Sequence, residues 1–89
     1  MITLQLTLIN KLGLHARAAN RLLDVINQFA SEVTITHAGT KANGKSIMSV
    51  MLLAAPFGSE LSFSIDGPDE EAAAVAIEQV IAERFGEDK

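Results

Sequence analysis

Cysteine, tryptophan and tyrosine are absent from the 89 residues, and proline and histidine each occur only twice. Without cysteine there is no disulfide framework, no thiol nucleophile and no thiolate-bound metal. The two histidines have no acid at ligand spacing around them, so we expect no metal site and no cofactor on this chain. Basic residues are also scarce: seven Lys and Arg stand against eleven Asp and Glu, a formal charge of -4, the opposite of the basic face that nucleic acid requires. No apolar run approaches the ~20 residues of a membrane-spanning helix, and no basic segment followed by an apolar run opens the chain. The expectation is a cytoplasmic protein with no membrane and no nucleic-acid partner. A chain this short forms one domain, residues 1–89, with room for one sheet and a layer of helices but little for an enclosed substrate cavity. That favours a carrier or binding module over an independent enzyme.

What the chain does have is periodicity. Ile2 to Ile9, Val33 to Thr36 and Leu61 to Ile65 alternate apolar and polar residues, as strands with one buried and one wet face do. Thr40 to Asn43, after the turn residues Ala38-Gly39, reads as an edge strand pairing back in a hairpin. Ala19, Leu22, Leu23, Ile26 and Phe29 fall at helical spacing and predict a helix from about Ala16 to Phe29. Ser46, an N-cap residue type, opens a short apolar helix that Pro56 and Gly58 stop, and Pro68-Asp69 opens a last helix with the stripe Ala73, Ile77, Val80, Ile81 and Phe85. The order is β-α-β-β-α-β-α. Strands with one polar face pack as a single, mainly antiparallel sheet covered by helices on one side, an α+β fold.

The chemistry concentrates in Asn10-Lys11-Leu12-Gly13-Leu14-His15-Ala16-Arg17-Ala18-Ala19-Asn20, where a histidine stands between a glycine turn and a helix start. The first turn of a helix leaves backbone N–H groups unpaired and carries the positive end of the dipole, so an anion is welcome there. A neutral imidazole nitrogen is a competent nucleophile. Arg17 adds a planar fork of donors matched to phosphoryl oxygens. Nucleophile, anion cradle and counter-charge in consecutive residues point to a histidine that is transiently phosphorylated. Lys11, Arg17 and Arg21 gather around His15 while Glu70, Glu71, Glu78, Glu83, Glu87 and Asp88 are expected to crowd the far end, which predicts a locally positive site on an acidic body. His37, beside the hairpin turn, is expected to be an exposed bystander.

Gly-Leu-His-Ala-Arg-Ala-Ala, residues 13–19, closely resembles the active-site motif of the HPr family, the histidine-containing phosphocarriers of the phosphoenolpyruvate-dependent phosphotransferase system. The resemblance covers essentially the whole chain. It implies an open-faced β-sandwich with a four-stranded antiparallel sheet and three helices on one side. It also implies that His15 accepts a phosphoryl group, on Nδ1 in that family, from enzyme I and passes it to a downstream enzyme II component of the A type. The backbone N–H groups of Ala16 and Arg17 and the Arg17 guanidinium would hold the phosphoryl. Asn20, Arg21, Ile47, Met48 and Met51 become docking contacts by the same resemblance. Asn43 to Met48 resembles the family's regulatory serine site, which makes Ser46 a substrate of an HPr kinase/phosphorylase. Many members have Pro after the Arg where this chain has Ala18, a good helix former that adds an N–H. Monomeric action is expected.

Gly39-Thr40-Lys41-Ala42-Asn43-Gly44-Lys45-Ser46 also matches the phosphate-binding loop G-x-x-x-x-G-K-[ST], with Asp66 available to hold magnesium. A nucleotide-dependent enzyme is therefore the rival reading. Its parallel sheet would be covered on both faces, yet Thr34, Thr36, Ser62 and Ser64 are polar, and His15 and Arg17 would have no role. A third class, a purely structural interaction module, predicts no phosphotransfer at His15 at all.

Overall fold

Alternating side chains build one sheet. In the computed structural model, which describes residues 1–89, β1 (Ile2–Thr7), β2 (Glu32–His37), β3 (Thr40–Asn43) and β4 (Glu60–Asp66) pair antiparallel throughout, in the order β1-β4-β2-β3. Phe63 sits at the centre, paired with Leu4 on one side and Ile35 on the other. Val33, Ile35, Ala42, Leu61, Phe63 and Ile65 are buried on one face, while Thr34, Thr36, Ser62 and Ser64 keep partial exposure on the other. The hairpin forms as expected, with Ala38 and Gly39 at φ 49° and 85°, the paired left-handed residues of a tight turn.

Three helices cover the apolar face: α1 (Ala16–Ile26), α2 (Ile47–Met51) and α3 (Glu70–Ala82). Ala18, Ala19, Leu22, Leu23 and Ile26 of α1 meet Ala73, Ala74, Ile77, Val80 and Ile81 of α3 in a core of 22 buried apolar residues. Full burial of a Leu or Ile side chain is worth about 1.5–3 kcal/mol, so this layer, rather than helix propensity, holds the helices in place.

The expected elements are shorter at their C-terminal ends. α1 stops at Ile26, because Gln28 and Phe29 donate to Val25 and Ile26 in tighter three-residue turns. α2 stops at Met51 for the same reason, as Leu53 and Ala54 donate to Val50 and Met51, and Ala54 adopts φ 49°. Phe85 is buried as predicted but lies beyond α3, in a 3-10 turn over Arg84–Gly86. His37, expected to be exposed, is half-buried, with Nδ1 3.3 Å from the Leu53 carbonyl oxygen.

The entry to α3 is a latch. Asp69 stands at the N-cap but turns its carboxylate outward from the helix, accepting from the Ala30 N–H (2.8 Å), the Ser31 N–H (2.9 Å) and the Ser31 hydroxyl. The hydroxyl and the Ala30 amide hold its carboxyl below the ordinary value against a small opposing effect of burial. Backbone passes so close here that a Cβ on Gly67 would stand 2.5 Å from the Ser31 Cα.

Candidate functional site

The loop before α1 is folded by its own polar atoms. The Gly13 N–H donates to the Asn10 carbonyl (3.1 Å), the Asn10 Nδ2 donates to the Gly13 carbonyl (2.7 Å), and the Leu14 N–H reaches the Ala55 carbonyl (2.8 Å). Gly13 has φ 67°, and a Cβ there would stand 2.6 Å from the Ala55 oxygen, so only glycine fits both the turn and the contact. The chain leaves this loop extended, and His15 becomes the N-cap residue of α1 at φ −80°, ψ 178°.

The helix start it caps is open. The His15 side chain makes no cap hydrogen bond, no acid stands in the first turn, and the N–H groups of Ala16, Arg17 and Ala18 have no backbone acceptor. The first of these carbonyl-free donors belong to Ala16 and Arg17, both exposed. Lys11, Arg17 and Arg21 line an open cleft beside His15, and none of the three is in an ion pair. Four elements of an anion site, free N–H groups, dipole, guanidinium and ammonium, thus converge on one imidazole.

The sequence-based charge map needs one correction. Glu87 and Asp88, expected at the far end, line the same cleft, because the 3-10 turn folds the tail back over the start of α1. Glu87 Oε2 pairs with His15 Nε2, its Oε1 accepts from Asn10 Nδ2 (3.0 Å), and the Lys11 N–H donates to the Lys89 carbonyl (3.0 Å). Burial alone would push the Glu87 carboxyl up; the hydrogen bonds from Asn10 and His15 and the nearby positive charge of Arg17 oppose it and hold it below its ordinary value. Asn10 and Glu87 are the site residues that sequence reasoning missed. Asn10 lay within the quoted stretch with no polar partner in view, and Glu87 comes 72 residues after His15 with no local signal joining them.

The remaining predicted residues occupy the neighbouring surface. Asn20 and Arg21 are exposed on α1, and on α2 Met48 is 69% and Met51 41% exposed while Ile47 is half-buried. This short helix is not buried all round: only Val50 of α2 is buried, and Met48 and Met51 are left as an exposed apolar patch. Leu12, Leu52 and Phe57 are exposed as well, and none of them stood among the predicted contacts. Ser46 is the N-cap of α2, its Oγ accepting the Ser49 N–H at 3.4 Å. The phosphate-binding-loop match does not fold as one. Its Gly39 lies in the hairpin turn and Thr40–Asn43 pair with β2 as a strand, in an antiparallel sheet. No group of three His, Cys, Asp or Glu is arranged to hold a metal ion, and no helix is long and apolar enough to cross a membrane.

Comparison with known proteins agrees with this geometry. A family model described as the PTS HPr component phosphorylation site matches residues 2–83. Phosphocarrier protein HPr of Cupriavidus necator is 47% identical over 87 residues, 98% of each chain. Among solved structures, HPr from Thermoanaerobacter tengcongensis superposes with a TM-score of 0.95 at 35% identity over all of both chains. A dimer of HPr from the same organism matches with a TM-score of 0.78 at 36% identity, covering 98% of this chain and all of that one. A family match over nearly the whole chain, an identity well above 30% and a close superposition over the whole length all point one way: the chain belongs to the HPr family, the phosphocarriers of the phosphotransferase system.

Proposed function

We propose that His15 is the phosphoryl acceptor, attacking through Nδ1, and that the Ala16 and Arg17 N–H groups with the Arg17 guanidinium hold the transferred group. The observation that carries this is the open start of α1: free N–H donors and unpaired cations around a capping histidine, with no side chain of the protein's own filling the anion position. The chain is a carrier rather than a catalyst. Enzyme I is the donor, and a downstream A-type enzyme II component is the acceptor. Both dock on the face of Asn20, Arg21, Ile47, Met48 and Met51, which offers the Arg21 cation beside an adaptable Met surface. The working form is the cytoplasmic monomer.

Ser46 carries the regulation in this reading, as the substrate of an HPr kinase/phosphorylase. α2 has only five residues, so its dipole does little for a phosphate there. The effect falls instead on partners, by like-charge repulsion beside Ile47 and Met48.

Incubation with labelled phosphoenolpyruvate and enzyme I tests the whole scheme. One phosphoryl group, labile in acid and stable in alkali, is expected, lost in His15→Ala and acquired several-fold more slowly in a folded Arg17→Ala. Ser46→Asp should also be slower, less so in high salt, with Ser46→Ala near wild type. A label that survives His15→Ala would overturn the assignment of the nucleophile.

A further inference from the structure

The tail contact suggests more than packing. The 3-10 turn holds three successive residues, Arg84, Phe85 and Gly86, at φ 55°, 56° and 83°. A left-handed conformation costs about 1–2 kcal/mol for each non-glycine residue, so such a turn persists only where surrounding contacts demand it. Those contacts are the buried Phe85, the Lys11 to Lys89 backbone bond, and Glu87. The Glu87 side chain keeps only 15% of its surface exposed and spends both oxygens, one on Asn10 and one on His15.

The chemistry of these partners determines where the histidine proton lies. An ionised carboxylate only accepts, so His15 Nε2 carries a proton and donates. The carboxylate cannot rotate away from this duty, because its other oxygen is held by Asn10 Nδ2. Asn10 in turn is fully buried and oriented by its second donor bond, to the Gly13 carbonyl. In a neutral imidazole, a proton on Nε2 leaves the lone pair on Nδ1, which makes no hydrogen bond within the protein.

We infer that Glu87, braced by Asn10, is a positioning residue that keeps the His15 proton on Nε2 and so presents Nδ1 as the phosphoryl acceptor. The inference rests on the phosphoacceptor reading of His15 and deepens it. As the Nδ1 lone pair forms the N–P bond, the bond from phosphorus to the donor breaks, and its electron pair leaves with the donor. The ring keeps the Nε2 proton and becomes cationic, and the Glu87 carboxylate stands against that charge. Carboxylate partners that orient metal-bound histidines contribute about 10- to 100-fold, and an effect of that order is expected for a carboxylate that orients a nucleophilic histidine.

The test uses Glu87→Gln and Glu87→Ala with 15N-labelled histidine. Glutamine has the shape of glutamate but one acceptor, which the fixed Asn10 donor takes, leaving its NH2 facing Nε2. The His15 proton should then move to Nδ1, visible in the imidazole 15N spectrum of the unphosphorylated protein. Enzyme I-dependent phosphorylation should fall about tenfold or more in both variants, further in Gln than in Ala, with backbone amide spectra unchanged away from the tail. An unchanged tautomer in Glu87→Gln overturns the inference, whether the rate falls, as for a merely structural contact, or stays at wild type. A wild-type protein that accepts no phosphoryl group would instead overturn the reading of His15, while the tautomer measurement, which needs no donor, would still judge Glu87.

Discussion

The starts of α1 and α3 have the same backbone polarity and opposite treatment. At α3, Glu70 accepts the Gly67 N–H (3.1 Å) and stands 3.0 Å from the Met1 amine, Glu71 follows in the first turn, and Asp69 locks onto Ala30 and Ser31. At α1 there is no acid in the first turn, no side-chain cap, and the unpartnered N–H groups of the exposed Ala16 and Arg17 stand beside unpaired cations. One helix end is neutralised by its own sequence for stability. The other has no carboxylate on its own N–H groups, since Glu87 spends its oxygens on His15 and Asn10, and in the proposed function an anion arriving from outside gains what a capping carboxylate would otherwise have taken.

The strongest way to break this contrast is to give α1 what α3 has. Ala16→Glu places a carboxylate on the exposed first turn. The helix should gain about 0.3–1 kcal/mol from its dipole. At about 5 Å, each pair of like unit charges repels by about 1 to 3 kcal/mol between water and an effective dielectric of 20, which corresponds to phosphoryl acceptance roughly 5- to 150-fold slower. Urea unfolding and the enzyme I-dependent rate read the two effects separately. A more stable protein that transfers at the wild-type rate would show that the phosphoryl does not use the open helix end.

The converse change weakens α3. Ser31 is fully buried and gives its hydroxyl to Asp69, so Ser31→Ala should lower stability by about 1 kcal/mol, seen as a lower urea midpoint at constant slope. Phosphoryl transfer should stay within about twofold of wild type. A large loss of transfer would mean that the two helix starts are coupled through the α1–α3 packing rather than independent.

Much of this contrast could be read from the residues, and the unread part has a physical pattern. The strands, the hairpin and the buried faces of α1 and α3 follow from local periodicity, and His15, Gly13 and Arg17 announce their chemistry within a few residues of one another. Helix ends were read too long, since three-residue turns at Phe29 and Ala54 keep the same apolar pattern as the helix while ending its geometry. The Asp69 latch and the Asn10–Glu87–His15 chain join residues 38, 72 and 77 positions apart, and no periodicity encodes such pairs. Glu87 is instructive because composition assigned it to an acidic surface, whereas a left-handed turn after α3 carries it to His15.

The smallest expected effect is a pH window peculiar to the start of α3. Asp69 is held below its ordinary value chiefly by the Ser31 hydroxyl and the Ala30 N–H, and Glu70 by the Gly67 N–H and then the Met1 amine. A carboxyl depressed on folding contributes stability above its unfolded value, 3.8 for Asp and 4.5 for Glu, and loses it as pH falls through the lower folded value. The Met1 amine runs the other way. It is raised from 8.0, mainly by its hydrogen bond with Glu70, so its contribution is complete below pH 8.0 and disappears as pH rises through the folded value. The latch should therefore hold best between about pH 4.5 and 8, the range bounded by those reference values. Urea midpoints of wild type and Asp69→Asn should converge as pH is lowered from 6 to 3, because protonation removes in the wild type what the substitution has already removed. Acetylating the N-terminus should flatten the alkaline side and, because the Met1 amine also helps hold Glu70 low, weaken part of the acid side, leaving the Asp69 contribution in place. Parallel curves for wild type and Asp69→Asn down to pH 3 would show that Asp69 acts through shape rather than charge, and the contrast between the two helix starts would lose its electrostatic basis.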